Sequence, residues 1–349
     1  MEAPPVQYAR TSDGYSIAYT DSGRGIPFVW VAGPITHARL DWLAPKGSAL
    51  EQLARRVRLI TYDARGHGMS ARPVPEDYVL SDDELDLEAV VAATGIDRFV
   101  LFAGYYFGHV AMRYAVRNPE RVRALILWNS RVGGQGTRGR SYNIDMAAED
   151  WALFVDVTAR VIFSLEDPEA AKQRVRESIT QLDMLRRSVP TRDSGVADIA
   201  SLLVVPVLVL VTTGIAMAAA SEEDGQKLAA IIPGSRLVVI AHPDGGLHSD
   251  EPGPKPALHA IDDFLATLPP EAASQEVTLT TPRPQFQVLS PREVEILRFV
   301  VAGKSSREIG EELVLSVRTV ERHIANIYLK TETHGRAQVT NYARDNGLY

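Results

Sequence analysis

Hydrophobic and polar positions divide the chain into two regimes. Up to about residue 268, short apolar runs alternate with amphipathic stretches. Tyr8-Ala9-Arg10, Gly14 to Tyr19, Pro27 to Val31, Arg58 to Asp63, Phe99 to Ala103, Val122 to Trp128, Val204 to Val211 and Arg236 to Ile240 read as strands. Asp82–Thr94, His109–Asn118 and Ala257–Leu268 read as helices. Strands alternating with helices predict a mostly parallel sheet covered on both faces, an α/β architecture. Residues from about 135 to 201 carry helical patterns and few strand runs, and read as a helical lid inserted into that order. From residue 269 to 285 the composition turns to Pro, Thr, Ser and Glu, a linker.

The last stretch, residues 286–349, changes period to that of helices alone. Ser290-Pro291 is a cap followed by a proline that suits a first turn. Val294, Leu297, Val300 and Val301 form an apolar stripe, and Gly303 ends it. Ser305 and Glu308 predict a capping box for a second helix with Ile309 and Leu313 on one face. After a turn through Val314 and Leu315, Ser316 caps a third helix. Its Val317, Val320, Ile324, Ile327 and Tyr328 predict one buried face. A fourth helix is expected at about Arg336 to Arg344, stopped by Gly347. Two helices around a short turn, the second presenting Arg318, Thr319, Glu321, Arg322 and Asn326, suit a DNA major groove. Lys304, Arg307, Arg318, Arg322 and Lys330 are candidates for phosphates. By periodicity alone, a plain helical bundle with a solvated charged face is the better account.

Charge changes the picture once the chain is divided. The net charge of −7 looks wrong for a nucleic-acid binder. Residues 285–349, however, hold nine Lys/Arg against eight Asp/Glu, so the acidity belongs to the larger part, which phosphates repel. A nearly neutral module binds weakly as one copy, and two copies on paired half-sites repair that, so a homodimer is expected. The absence of cysteine excludes disulfides and thiolate metal sites and fits a reducing, cytoplasmic setting. No apolar run is long enough to span a bilayer, and Met1-Glu2-Ala3-Pro4-Pro5 does not open a signal peptide. No His/Asp/Glu cluster has metal-ligand spacing, and neither metal nor cofactor is expected.

The C-terminal residues Glu293 to Leu297, Gly303-Lys304-Ser305, Glu308-Ile309, Leu313, Ser316 to Lys330 and Arg336-Ala337 resemble the LuxR-type helix-turn-helix domain along its whole length. The resemblance implies that the third helix enters the groove and the fourth pairs two copies. The expected DNA-binding residues are Lys304, Ser305, Arg307, Ser316, Arg318, Thr319, Glu321, Arg322, Asn326 and Lys330. His323 is expected to pack behind the DNA face. Three departures stand out. Thr331 and Thr333 replace apolar residues, which predicts a looser turn into the fourth helix. Gly310 replaces alanine, worth roughly 1 kcal/mol in an exposed helix. Glu321 replaces a frequent lysine and repels phosphate, though it suits a cytosine amino group.

Residues 8 to 268 resemble the α/β-hydrolase fold, carried by Asp63 to Ser70, the strand-turn-helix at 99 to 118 with Asn118 to Val122, and Pro206 to Leu210. That fold holds its nucleophile on a G-x-S-x-G elbow. The elbow here is Gly104-Tyr105-Tyr106-Phe107-Gly108, which sets Tyr106 where serine belongs. A phenol lacks the reach of a serine hydroxyl and is a poorer acyl-transfer nucleophile. Thr212 to Met217 offers no carboxylate after its strand. His248 is the best remaining triad member, and Pro34 removes a donor from the oxyanion loop Ala32-Gly33-Pro34. Ser130 as a displaced nucleophile is less plausible than Ser130 as a turn residue, His37 and His67 are expected to be structural, and Asp63 is expected to hold its own loop.

The expectation is therefore a non-enzymatic DNA-binding regulator with a small-molecule effector. The effector is small and mostly apolar, an ester or lactone. Gly33, Pro34, Tyr105, Tyr106, Phe107 and His248 are its expected contacts. Two alternatives are an active hydrolase with unusual machinery fused to the DNA module, and a regulator whose N-terminal part only dimerises.

Overall fold

The computed structural model describes residues 3–31, 33, 35–43, 48–132, 138–162, 167–188, 196–213, 221–241, 247, 256–269, 289, 291–313, 317–331, 333, 335–346 and 348. Two compact units divide the chain, residues 1–270 and 271–349.

The larger unit is built on eight strands: β1 (Gln7–Arg10), β2 (Ser16–Gly23), β3 (Pro27–Trp30), β4 (Arg58–Tyr62), β5 (Phe99–Gly104), β6 (Val122–Trp128), β7 (Val207–Thr213) and β8 (Arg236–Ala241). They lie in the order β1-β2-β4-β3-β5-β6-β7-β8. The first two pairings, β1 with β2 and β2 with β4, are antiparallel, and the rest are parallel. The helices are α1 (Ala49–Ala54), α2 (Ser81–Thr94), α3 (Gly108–Arg117), α4 (Arg138–Glu149), α5 (Trp151–Ile162), α6 (Pro168–Ser178), α7 (Gln181–Ser188), α8 (Ala197–Ala200), α9 (Glu222–Ile231) and α10 (Pro256–Ala266). The apolar runs predicted every one of these strands, but the patterns missed the short α1 and the mostly polar α9.

Parallel strands buried on both faces are apolar at every position rather than at every second one. Along β7, Val207, Val209 and Val211 join one core layer with α2, α3 and α9, while Leu208 and Leu210 join the other with α1 and α10. The segment between β6 and β7 forms a helical cap, α4 to α8, with its own small core around Phe154, Val155, Val175 and Ile179. The cap docks on the loops that leave β3 and β4. Gly68 N donates to Ser178 O at 2.7 Å, Arg174 meets Asp41 at 3.0 Å, and Val74 N donates to Asp183 Oδ1 at 2.7 Å.

The first two turns of α2 carry four carboxylates, and Asp82, Asp83, Glu84 and Asp86 are all buried. Three arginines from elsewhere in the chain pair with them: Arg65 with Asp86 and, at 3.8 Å, with Asp82, Arg117 with Glu84, and Arg187 with Asp83. Buried carboxylates persist only when paired in this way.

The smaller unit holds α11 (Pro291–Val301), α12 (Ser306–Leu313), α13 (Val317–Lys330) and α14 (Arg336–Asp345) around Ile296, Leu297, Val300, Ile309, Val320, Ile327, Val339 and Ala343. Gly303 takes φ +88° just past α11, the left-handed stop expected of glycine. Ser290, Val314 to Ser316 and Gly347 lie outside the described residues.

Candidate functional site

The elbow forms where β5 runs out. Its ladder with β6 continues to Gly104 opposite Trp128, so the chain can turn only at the next residue. Gly104 is still extended (φ −110°, ψ 155°), Tyr105 takes φ +58°, and a single tight turn over Tyr105–Phe107 leads into α3 at Gly108. A non-glycine residue held at positive φ is the signature of a strained nucleophile elbow. The strained position is therefore Tyr105, not the Tyr106 that motif spacing selects. The glycine pair misled the count because the ladder, not the glycines, fixes where the turn begins. Tyrosine stands at either position.

Tyr105 does not project into open space. Its ring meets the edge of Trp128 (5.2 Å between centroids, 60° between planes), its hydroxyl is bonded to the Asn129 side chain, and burial raises its pKa above the ordinary phenol value. Asn129 is itself fully buried at φ +46°. It accepts from Thr212 N at 2.9 Å and donates to Thr212 Oγ1 at 2.9 Å, and Trp128 Nε1 donates to the same hydroxyl at 3.1 Å. Tyr105, Asn129 and Thr212 thus close the C-terminal ends of β5, β6 and β7 with a network of neutral groups. A neutral chain of this kind has no member that can take a proton as a base at ordinary pH.

Tyr106 stacks on Phe107 (4.1 Å, 29°), and its hydroxyl is the partner of the Arg187 guanidinium from the cap. Arg187 is 2% exposed. It meets both carboxylate oxygens of Asp83 at 2.9 and 2.8 Å and donates to Arg65 O at 2.9 Å. The rings of Tyr78 and Phe107 lie 4.8 and 5.5 Å from its guanidinium carbon. Phe107, expected as a ligand contact, is fully buried in the main core beneath the turn. Tyr105 and Tyr106 remain half-buried. Arg187, Asn129 and Thr212 had no signal in sequence: the first reads as half of an exposed Arg-Arg pair, and the others as residues that end strands.

The other sequence candidates fall as follows. Ser130 is 1% exposed and fills the space a side chain at Gly108 would need: a Cβ there would lie 2.3 Å from Ser130 Oγ. It is a packing residue under α3. His37 Nδ1 accepts from Arg39 N and Leu40 N, and His67 is buried against Phe107. Asp63 Oδ2 accepts from Ala38 N at 2.8 Å and Met69 N at 2.9 Å, tying two loops together. Burial, with Asp41 nearby, pushes the Asp63 carboxyl up to about 7. Gly33 is buried, while Ala32, Pro34 and His248 lie outside the described residues. Among the described residues no group of side chains has the makings of a metal site, and no helix is long and apolar enough to cross a membrane.

In the C-terminal unit, Ser305 and Glu308 make the expected capping box: Ser305 N donates to Glu308 Oε2 at 2.7 Å, and Glu308 N donates to Ser305 Oγ at 3.3 Å. The cation expected of Lys304 is engaged by Glu312, and that of Arg307 by Glu311 at 3.2 Å. Along α13, Val320 and Ile327 are buried and Ile324 and Tyr328 half-buried, whereas Val317, expected on that face, is 42% exposed at the helix start. By the helical repeat, positions 318, 322 and 326 lie opposite the buried line. Ser316 and the side chains of Arg318, Thr319, Arg322, Asn326 and Lys330 lie outside the described residues; Glu321 is exposed and His323 half-buried. Thr331 and Thr333, expected to loosen the turn after α13, are both buried and bonded. Thr331 Oγ1 donates to Ile327 O at 2.7 Å, and the buried Thr331 and Thr333 hydroxyls bond each other at 2.9 Å. Gly310 is buried, so the cost expected of an exposed helix position does not apply.

Comparison with known proteins agrees with this division. Residues 287–343 match the family described as bacterial regulatory proteins, luxR family, and residues 36–203 match the α/β hydrolase fold family. The chain therefore joins a domain of α/β-hydrolase fold to a C-terminal helix-turn-helix domain of the LuxR family. Among curated proteins, it is 45% identical over 60 residues to the transcriptional regulatory protein LiaR of Bacillus subtilis, covering 17% of this chain and 28% of that one. It is 30% identical over 105 residues to the putative carbamate hydrolase RutD of Klebsiella pneumoniae, covering 30% and 38%. The matches thus span between about a quarter and two fifths of those relatives. Among solved structures, the enol-lactonase from Burkholderia xenovorans aligns at a TM-score of 0.60 with 18% identity, covering 74% of this chain and 100% of that one. A hydrolase from Pseudomonas aeruginosa aligns at 0.60 with 23% identity, covering 76% and 99%. At such identities the likeness establishes the fold.

Proposed function

We propose that this chain is a DNA-binding transcriptional regulator whose hydrolase-fold domain holds a small, mostly apolar molecule, an ester or lactone, without turning it over. The observation that carries the reading is the neutral Tyr105–Asn129–Thr212 network at the ends of β5, β6 and β7, the place where the fold assembles hydrolytic machinery. A binder gains nothing by destroying its signal, and a helical cap over the ends of a parallel sheet is where such folds receive small molecules. The DNA half rests on the LuxR-family match and on positions 318, 322 and 326 of α13. Two copies on paired half-sites compensate for the near neutrality of the module.

Both elbow hydroxyls already have partners inside the protein, which favours a second reading: the domain serves only to pair two chains. Incubating purified protein with near-stoichiometric phenyl acetate, δ-decalactone and benzoic acid, followed by mass spectrometry of the bound and free pools, separates the readings. A compound retained intact supports the sensor. Catalytic hydrolysis overturns the non-enzymatic reading, and a panel entirely unretained, with the protein dimeric, supports the pairing domain.

A further inference from the structure

The cap helix α7 places three side chains into the body of the domain. Asp183 receives Val74 N at 2.7 Å, and Arg186 donates to Val74 O at 2.7 Å and meets Glu76 at 2.8 Å. Both of these hold α7 to the 74–76 segment. Of the three, Arg187 is the one that meets the elbow. Its guanidinium sits between Asp83 of α2 and the Tyr106 hydroxyl, flanked by the Tyr78 and Phe107 rings. Tyr78 in turn donates its hydroxyl to Asp83 Oδ2 at 2.6 Å, which fixes the carboxylate that Arg187 uses. Tyr106 is half-buried, so it is the member of this set that a small molecule at the elbow can touch.

We propose that the chain Tyr106–Arg187–Asp83 is the link by which a molecule bound at the elbow changes the hold on cap helix α7. A molecule that engages the Tyr106 hydroxyl, or turns its ring, withdraws that acceptor from Arg187. The buried cation then keeps Asp83, Arg65 O and the face of the Phe107 ring but loses its hydroxyl partner at the elbow. A buried charge responds strongly to the loss of a partner because no water replaces it. The packing of α7 on the sheet is thereby made conditional on what Tyr106 is doing. Only such a difference between two states allows a ligand to shift their balance. The proposal rests on the sensing reading, and names how that site is regulated.

Hydrogen–deuterium exchange of the full chain tests the link without any ligand. Tyr106→Phe removes the hydroxyl and keeps the ring. It is expected to raise exchange across residues 181–188 roughly tenfold while β6 stays protected. Tyr105→Phe removes the neighbouring hydroxyl, which serves Asn129 instead, and is expected to leave 181–188 unchanged. No change in 181–188 on Tyr106→Phe overturns the proposal, as does an equal rise in both variants, which would mean general loosening of the elbow. The two failures are distinguishable: an unlinked α7 with a compound retained refutes this proposal and leaves the sensor, whereas a panel entirely unretained refutes the sensor and this proposal with it.

Discussion

Tyr105 and Asn129 are both held at positive φ at the ends of adjacent parallel strands, and the hydroxyl of one is bonded to the side-chain amide of the other. Two strained non-glycine residues that lock each other together, with Thr212 beneath, form a rigid floor to the elbow. Each such conformation costs of order 1–3 kcal/mol and persists only where its surroundings dictate it.

The floor predicts that restoring a serine does not restore an enzyme. Tyr105→Ser places a hydroxyl at the strained position, but its neighbours there, Asn129 and Thr212, are neutral, and Thr212 to Met217 holds no carboxylate. Hydrolysis of p-nitrophenyl acetate by this variant is expected to match the wild type. A serine-dependent burst of nitrophenol would show that the domain holds a working acid and base.

Removing Asn129 tests the same network from the side of stability. Asn129→Ala strips the partner from the buried Thr212 amide and leaves the Thr212 hydroxyl with only the Trp128 Nε1 donor. Leaving buried polar groups unmatched costs roughly 1–3 kcal/mol each, so thermal unfolding of this domain should shift down by several degrees. An unchanged melting temperature would mean that water or another side chain takes over the role.

Asp63 gives a pH dependence of known sign. Its folded pKa, about 7, lies well above the ordinary carboxylate value, so the folded protein holds this proton more tightly than the unfolded chain does. The stabilisation it brings is complete below about pH 4 and is lost as the pH rises through 7, on the order of a few kcal/mol. Asp63→Asn, uncharged throughout, should flatten that slope between about pH 4 and 7 in denaturant titrations. Parallel pH profiles for the two proteins would refute the assignment.

On the DNA side, Lys304, expected to meet phosphate, is paired with Glu312. An exposed ion pair is worth under about 1 kcal/mol, so its release should strengthen DNA binding by roughly two- to fivefold. Fluorescence anisotropy with Glu312→Gln should show this gain at low salt. Lys304→Ala should lower the salt slope by about one. If both variants bind like wild type at every salt concentration, Lys304 is not a phosphate contact.

Thr331 and Thr333 form a pair whose value is mutual. Thr333→Val leaves the Thr331 hydroxyl still bonded to Ile327 O and should cost little, whereas Thr331→Val strands a buried Thr333 hydroxyl at roughly 1–3 kcal/mol. The double valine variant should recover part of that loss, because no partner is left unmatched. Strict additivity in the cycle would mean the two hydroxyls act independently.

Periodicity and capping are local properties of neighbouring residues, and they are enough to read the strands, the helices other than α1 and α9, the cap between β6 and β7, the four C-terminal helices and the capping box at Ser305. Residue identity along the chain likewise excludes serine from the elbow and a carboxylate from the end of β7. Tertiary structure decided what depends on distant residues meeting. Which of two adjacent tyrosines is strained follows from where the β5–β6 ladder ends at Gly104 and Trp128. Whether Asp82 to Asp86 face water or the core follows from three arginines that arrive from residues 65, 117 and 187. Whether threonines at 331 and 333 loosen a turn follows from the hydroxyls finding each other. In each case the energy belongs to a pair, and a pair far apart in the chain leaves no periodic trace in either member.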